Sequence, residues 1–185
     1  SIYFFYLLVK FCNSGLDITD EGYYLNWISN PYDYKSSVSQ FGFIYHLIFI
    51  AFSENITILR IINLFSNFII SYCLIYFLIK SFIKSNEKFF YQQTLIIGLS
   101  LLVFLSIKIF TPNYNSLALK GLLITCMGIL ILENSVKKIG FFLIGLGGWM
   151  VFMGKPSSAF ILAIIILIYL ISRKKSFYPI LFCFM

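Results

Sequence analysis

Long apolar segments separated by short polar loops dominate the pattern of this chain. An α-helix needs about 20 apolar residues, at 1.5 Å each, to cross the hydrocarbon core of a bilayer. The segment at 41–53 has only 13 residues, a length typical of a helix that lies at the membrane surface. The pattern therefore predicts an all-α polytopic transmembrane helix bundle whose first long loop, 13–55, contains an interfacial juxtamembrane helix at 41–53. The predicted spans are about 1–12, 56–79, 94–110, 115–132, 139–153, 157–172 and 177–185.

The composition favours a protein whose solvent is lipid. Apolar residues make up 60% of the chain and charged residues 11%, whereas soluble domains carry about 25% charged residues. The mean hydropathy of +0.91 points the same way. We therefore expect the lipid bilayer as a partner, and no nucleic acid. Because the chain begins without Met and stops within an apolar run, we expect it to be a piece of a longer membrane protein.

The basic residues of the loops indicate an orientation, since Lys and Arg favour the cytoplasmic side. With 41–53 at the surface and the first loop external, the external loops hold only Lys35 and Lys155. The cytoplasmic loops then hold Lys80, Lys84, Lys88, Lys137, Lys138, Arg173, Lys174 and Lys175. The richness in Ile, Phe, Asn, Lys and Tyr suggests an AT-rich bacterial gene. We therefore expect an inner (plasma) membrane protein with the first loop on the external, periplasmic face.

A second orientation stays open. If the segment 41–53 crosses the membrane and the first loop is cytoplasmic, the basic loops are again inside. The shortness of that segment and the two-residue turn Glu54-Asn55 argue against this orientation.

Charged side chains that can do chemistry concentrate on the external side. Four of the seven acids of the chain lie in the first loop, at Asp17, Asp20, Glu21 and Asp33. A cation within a span is costly unless it pairs, lines a polar cavity or extends to the headgroups. Five cations fall at the external ends of spans, so they fit either extension to the headgroups or convergence on one anionic lipid phosphate. They are Lys10, Arg60, Lys108, Lys120 and Lys155.

The adjacent acids Asp20 and Glu21 have two compatible interpretations. A carboxylate can act as a general base for an attacking hydroxyl, or hold a divalent metal beside a phosphate. Acids in the first turn of an interfacial helix are also favoured by the helix dipole, with Tyr23, Tyr24 and Trp27 as aromatic membrane anchors.

Five short motifs follow one another along most of the chain. They are Asp20-Glu21-Gly22-Tyr23-Tyr24 after a first span, the short helix 41–52, Arg60 near the start of a span, the turn Thr111-Pro112-Asn113-Tyr114-Asn115-Ser116, and Gly154-Lys155-Pro156 between two spans. In this order they resemble the N-terminal part of the membrane-embedded glycosyltransferases of the GT-C fold. That superfamily includes the protein O-mannosyltransferases and the aminoarabinose transferases that modify lipid A.

The resemblance implies a transferase of the cell envelope that moves a sugar from a polyprenyl-phosphate donor to an acceptor, which is a lipid, a glycan or a protein. It implies that Asp20 is the base or a metal ligand and that Lys155 lies near the carrier phosphate. We assign Glu21 a supporting or metal-binding role and expect Arg60 and Lys120 to bind the phosphate as well. Tyr24 and Asn115 are further candidates, and Asn115 aligns with an Asp of some members. Many members have a second acid where this chain has Ser39-Gln40, so a divalent metal ion stays an open question.

A rival hypothesis is a non-catalytic flippase or transporter of lipid-linked saccharides, which would use the same cations without a carboxylate base. Transporters usually show internal repeats in two halves. No such repeat is visible in these 185 residues. A second copy of the span pattern in the remaining sequence would favour the transporter, and a soluble external domain after further spans would favour the enzyme.

Overall fold

The computed structural model describes residues 6, 9–13, 15, 20–82, 110–134 and 138–173. Every regular element in these parts is helical, which confirms the all-α prediction. The elements are α1 (Asp20–Ser29), a short 3-10 helix (Pro31–Tyr34), α2 (Phe41–Ala51), α3 (Ile56–Phe82), α4 (Tyr114–Asn134), α5 (Lys138–Gly154) and α6 (Pro156–Ser172). The predicted spans at 94–110 and 177–185, and most of the one at 1–12, lie outside the described residues.

Two of these helices, α3 and α4, are long and apolar enough to cross a membrane. Their 27 and 21 residues correspond to about 40 and 32 Å of helix, against about 30 Å of hydrocarbon core. The apolar helices α5 and α6 are shorter, with 17 residues each, or about 26 Å. They occur where the sequence predicts spans at 139–153 and 157–172.

The starts of α3 and α4 and the end of α5 meet at one end of the packed helices, which we call the loop end. Arg60, in the second turn of α3, donates a hydrogen bond to Thr111, just before α4. One turn further along α3, Asn63 accepts a hydrogen bond from Lys120 of α4, so α3 and α4 run in the same direction. The helix α5 returns antiparallel to α4, because Gly154 at its end contacts Tyr114 at the start of α4.

The short helix α2 lies across the loop end. Its 11 residues span only about 16 Å. At its start, the Gln40 backbone N–H donates to the Met153 carbonyl near the end of α5. At its end, Ser53 and Glu54 adopt left-handed backbone conformations, with φ of 54° and 59°, and turn the chain directly into α3. Both ends of α2 therefore stay at the loop end.

A seam of small residues, which we call the glycine seam, holds α4 against α5. Gly121 and Gly128 of α4 are seven residues apart, as are Gly140, Gly147 and Gly154 of α5. A Cβ built on Gly121 or on Gly147 would lie 2.5 Å from the carbonyl oxygen of the other residue. The backbones can approach this closely only because the side chains are absent, which is the usual way in which helices pack tightly in lipid. The seam fixes the position of the turn between α5 and α6.

We expect Gly147→Ala to destabilise the protein by about 1–3 kcal/mol, because the new methyl group collides with the backbone of α4. The neighbouring residue supplies a matched control. A Cβ on Gly148 meets nothing within 4 Å, so Gly148→Ala should leave the stability unchanged or raise it by up to about 1 kcal/mol. Thermal unfolding of the two variants in detergent measures the difference, and equal transition temperatures would contradict the seam.

Candidate functional site

Glu21 and Arg60 form a buried ion pair that fixes α1 to α3. The Arg60 Nη2 lies 2.8 Å from Glu21 Oε2, and its Nε donates to Glu21 Oε1 at 2.9 Å, which is bidentate geometry. Both residues are 4% exposed. The Thr111 hydroxyl also donates a hydrogen bond to Glu21 Oε1. One carboxylate thereby connects the first loop, the start of α3 and the segment before α4.

The remaining donors of Arg60 hold the chain that precedes α1. Its Nη1 donates to the Cys12 carbonyl at 2.9 Å, and its Nη2 lies 3.4 Å from the Gly15 carbonyl. Arg60, which we predicted as a phosphate ligand, is thus engaged with protein acceptors on each of its three nitrogens. Its contacts are those of a structural link between the first loop and α3.

Asp20 is exposed at the start of α1, in contrast to its buried neighbour Glu21. Tyr24 lies one turn after Asp20, on the same side of the helix. The Tyr24 ring packs edge-on against Tyr114, with 5.9 Å between ring centroids. Burial, followed by the neighbouring Tyr114 phenol and the Asp20 charge, raises the pKa of Tyr24 to about 12, so Tyr24 stays neutral. It can donate a hydrogen bond but cannot act as a base at neutral pH.

Contacts connect Tyr24, one turn after Asp20, to the turn that carries Lys155. The backbone of Tyr114, whose ring touches Tyr24, lies against Gly154, the residue before Lys155. The Ser39 hydroxyl donates to the Gly154 carbonyl at 2.7 Å and lies 3.3 Å from the Met153 carbonyl. Ser39 and Gln40, where the resembling family often has an acid, therefore sit directly on the Lys155 turn. Lys155 itself is exposed at the N-cap of α6.

Lys120 is a buried cation whose partners are neutral. It is 4% exposed, and its Nζ donates to Asn63 Oδ1 at 2.7 Å and to the Tyr45 hydroxyl at 3.1 Å. The same Nζ lies 5.2 Å from the centroid of the Tyr45 ring. Neither ion pair found in the described part of the chain involves Lys120. Burying a charge without an opposite charge is unfavourable, so the buried Lys120 ammonium depends on these two hydrogen bonds and on the Tyr45 ring.

The turn before α4 is a reciprocal cap. The Asn113 side-chain oxygen accepts from the Ser116 N–H at 2.9 Å, and the Asn113 N–H donates to the Ser116 hydroxyl at 3.0 Å. This is the arrangement of a capping box, which satisfies two N–H groups at the helix start. Asn115 is exposed in the first turn of α4, beside Tyr114. The turn motif thus caps the start of α4, and it also holds Tyr114 against Tyr24.

The described carboxylates of the first loop are not gathered into one cluster. Calcium and magnesium sites usually combine several oxygen ligands, often from two or more carboxylates. Glu21 is bound to Arg60, Asp20 and Asp33 are exposed, and Asp17 lies outside the described residues. Over the residues that the structure describes, no group of three or more His, Cys, Asp or Glu side chains is placed to hold a metal ion. No chemical step is therefore assigned to a metal.

Sequence reasoning missed a row of polar residues on α3. Asn63, Asn67 and Ser71 follow one another at four-residue intervals, and all three are buried. Asn63 bonds Lys120 and, through its amide N–H, the Phe110 carbonyl. Within the part of the chain that the structure describes, the Asn67 Oδ1 and Ser71 Oγ atoms have no hydrogen-bond partner. The signal was available, because polar residues at helical spacing within a predicted span mark its inward face.

We expect Glu21→Gln to destabilise the protein by about 3–5 kcal/mol, because it leaves the Arg60 charge buried without a counter-charge. Asp20→Asn, at the exposed neighbouring position, should change the stability by less than about 0.5 kcal/mol. Urea or thermal unfolding of both variants in detergent gives the comparison. The double variant Glu21→Gln/Arg60→Met should recover part of the lost free energy of unfolding. If the losses of the two single variants simply add in the double variant, a direct pair is contradicted.

Comparison with known proteins returned no match for this chain. No protein-family model matches it, and neither a curated protein nor a solved structure does. The functional argument therefore starts from the residues at the loop end.

Proposed function

We propose that this chain is the N-terminal part of a polytopic membrane glycosyltransferase. In this proposal it transfers a sugar from a polyprenyl-phosphate donor to an acceptor at the external face of the membrane. The loop end is then the external end, and α3 to α6 are spans. The GT-C-like order of the motifs supports the proposal, and so does the position of the residues that would act in it.

The observation that carries the proposal is the combination of an exposed carboxylate and a buried cation at one end of the helices, where no described acid pairs with that cation. Asp20 is exposed on α1, and Lys120 lies within two turns of the start of α4. Lys155 lies on the turn that contacts both the first loop and the start of α4. A base and an anion site on one membrane face are what transfer from a lipid phosphate requires.

The proposed step follows from these positions. The acceptor hydroxyl attacks the anomeric carbon of the sugar and transfers its proton to the Asp20 carboxylate. The bond between the anomeric carbon and the phosphate oxygen breaks, and its electron pair stays on the phosphate. The ammonium groups of Lys155 and Lys120 stabilise the negative charge that develops there. Tyr24, neutral and one turn from Asp20, is placed to orient the acceptor or the sugar.

In this proposal Glu21 and Arg60 are positioning residues. Their ion pair sets the rotation of α1, so that Glu21 faces the interior and Asp20 faces outward. Residues that follow each other on a helix point about 100° apart, so the two acids cannot share one role. Arg60 then contributes to phosphate binding only through the structure that it holds together.

We expect Asp20→Asn to lower the transfer rate of the full-length enzyme by about 10²–10⁴-fold, because removal of a general base has that effect. The donor affinity should stay nearly unchanged. Asp33→Asn is the matched control, since Asp33 is an exposed acid of the same loop. Transfer of labelled sugar in proteoliposomes measures both variants. Unchanged turnover of folded Asp20→Asn protein would remove Asp20 from the mechanism.

Replacing Lys155 or Lys120, which bind the donor phosphate in this proposal, should raise the KM for the donor more than the KM for the acceptor. For the exposed Lys155, Lys155→Met should raise it about fivefold, since one surface cation contributes about 1 kcal/mol to binding of an anionic lipid. Lys35→Met removes an exposed cation from the first loop and should leave the KM for the donor unchanged. Equal effects of the two variants would show that only general surface charge matters.

A carrier of lipid-linked saccharides is the second candidate, and one observation favours it. The row Asn63, Asn67 and Ser71 extends a buried polar face along about 12 Å of α3, and two of its oxygen atoms find no hydrogen-bond partner among the described residues. A polar path through a span is typical of transport. The Asp20→Asn variant separates the candidates, because a flippase needs no carboxylate base and its lipid transport would persist.

A further inference from the structure

One side of α1, which we call the outer face, carries exposed polar side chains from the start of the helix to its end. Asp20, Tyr23 and Asn26 follow one another at three-residue intervals, and Asn30 follows four residues later, directly after the helix. Residues three and four apart are neighbours on a helix surface, and all four side chains are exposed. The outer face therefore extends about 15 Å from the candidate base.

Aromatic rings beside the outer face are held in fixed positions. The Tyr23 ring is 48% exposed, and it stands edge-on to Tyr34 and Trp27, with ring centroids 5.9 and 5.6 Å away. Tyr34 stacks on the buried Trp27, with 5.0 Å between centroids and 24° between ring planes. A tyrosine ring that is packed on one side and exposed on the other offers a rigid contact surface at little cost in conformational entropy.

Neutral hydrogen-bonding groups border these rings. The Asn26 Nδ2 donates to the Tyr34 hydroxyl at 2.8 Å. The Asn30 Nδ2 donates to the Ser29 hydroxyl at 3.1 Å and lies 3.5 Å from Asn26 Oδ1. An Asn side chain has two N–H donors and an acceptor oxygen, and the Tyr34 hydroxyl keeps its own proton to donate. These bonds orient the side chains and leave hydrogen-bonding capacity for a ligand.

The charge of this stretch does not attract an anion. Residues 20–35 contain three acids and one basic residue, Lys35. Arg60 neutralises Glu21, so two exposed acids and one exposed lysine leave a net charge of −1. Anionic lipid headgroups are bound by clusters of Lys and Arg, which this stretch lacks. Of the three classes of acceptor that the sequence leaves open, an anionic lipid therefore fits least.

The rings and amides match the chemistry of a neutral saccharide. A sugar ring presents C–H groups on its faces and hydroxyl groups around its edge. The C–H groups pack against the electron-rich face of an aromatic ring such as Tyr23. The hydroxyl groups both donate and accept hydrogen bonds, as do the amides of Asn26 and Asn30.

We infer that the outer face binds the acceptor of the transfer and that this acceptor is a neutral glycan. The inference rests on the proposed function, which leaves the class of the acceptor open, and it adds that class and its binding site. One sugar unit packs on the Tyr23 ring, with its hydroxyl groups bonded to Asn26 and Tyr34. The neighbouring unit, toward the start of α1, presents the attacking hydroxyl to Asp20.

Binding to an array of oligosaccharides tests the inference without sugar transfer. The array carries neutral oligosaccharides, each paired with a derivative in which a terminal CH₂OH group is oxidised to a carboxylate. The full-length protein in lipid nanodiscs should bind at least one neutral oligosaccharide saturably. Its carboxylate derivative should need a concentration at least about threefold higher, because the outer face is itself negative.

Substitutions on the outer face should weaken this binding. Tyr23→Ala should raise the half-saturating concentration about tenfold, since it removes both a ring contact and a hydroxyl group. Tyr23→Phe keeps the ring and should raise it about threefold, and Asn26→Ala should raise it about fivefold. Tyr32→Ala is the matched control, because Tyr32 is 71% exposed in the same loop but packs on Phe43. It should change the concentration by less than about twofold.

Three outcomes would overturn the inference. They are no saturable binding of any neutral oligosaccharide, equal or tighter binding of the carboxylate derivatives, or equal effects of Tyr23→Ala and Tyr32→Ala. The last result is expected of a tyrosine that only anchors α1 among the lipid headgroups.

The same array separates the glycan site from the proposed reaction. Binding needs no base, so Asp20→Asn should leave the half-saturating concentration within about threefold. If glycan binding behaves as expected but Asp20→Asn leaves transfer unchanged, the glycan site stands and the proposed reaction fails. If transfer depends on Asp20 and no neutral glycan binds, the reaction stands and the acceptor belongs to another class.

Discussion

The buried pair between Glu21 and Arg60 is the interaction on which the arrangement of the loop end depends. A buried charge without its partner costs several kcal/mol, so each residue requires the other. The pair binds α1 to α3, and the Thr111 hydroxyl adds the segment before α4. With α1 fixed in this rotation, Asp20 is left outside and Tyr24 is packed against Tyr114. The exposure of the candidate base is thus a consequence of the burial of its neighbour.

The packing of α4 against α5 is a second constraint, and it sets the positions of Lys155 and Lys120. The glycine seam brings the end of α5 against the start of α4, and Ser39 binds the carbonyl of Gly154. The Lys155 turn is therefore held by backbone contacts on two sides, while the Lys155 side chain remains exposed. Lys120 lies deeper, between Asn63 and Tyr45. The helices fix the positions of both lysines, and the first loop packs against the same end of the helices.

The helices could be predicted from the sequence, and the details of the site could not. Apolar runs of sufficient length predict helices such as α3 and α4, and the shortness of 41–53 distinguishes α2 from them. The hydrophobic pattern does not tell which of two adjacent acids faces the interior, since that depends on the helix rotation set by Arg60. The hydrogen bond between Ser39 and Gly154 joins residues 115 positions apart, a distance at which local patterns carry no information. Asn63, by contrast, is a polar residue within an apolar run, a signal that sequence reasoning could have used and missed.

The central claim is that the exposed carboxylate of the first loop and the Lys155 turn belong to one site. Cross-linking of Asp20→Cys to Lys155→Cys in the native membrane, with the four native cysteines replaced, tests it most directly. With a linker that reaches about three helix turns, roughly 16 Å, the account predicts a cross-link. It predicts none between Asp20→Cys and Lys138→Cys, because Lys138 starts α5 at the opposite end. A missing first cross-link, or a second one of equal yield, would contradict the claim.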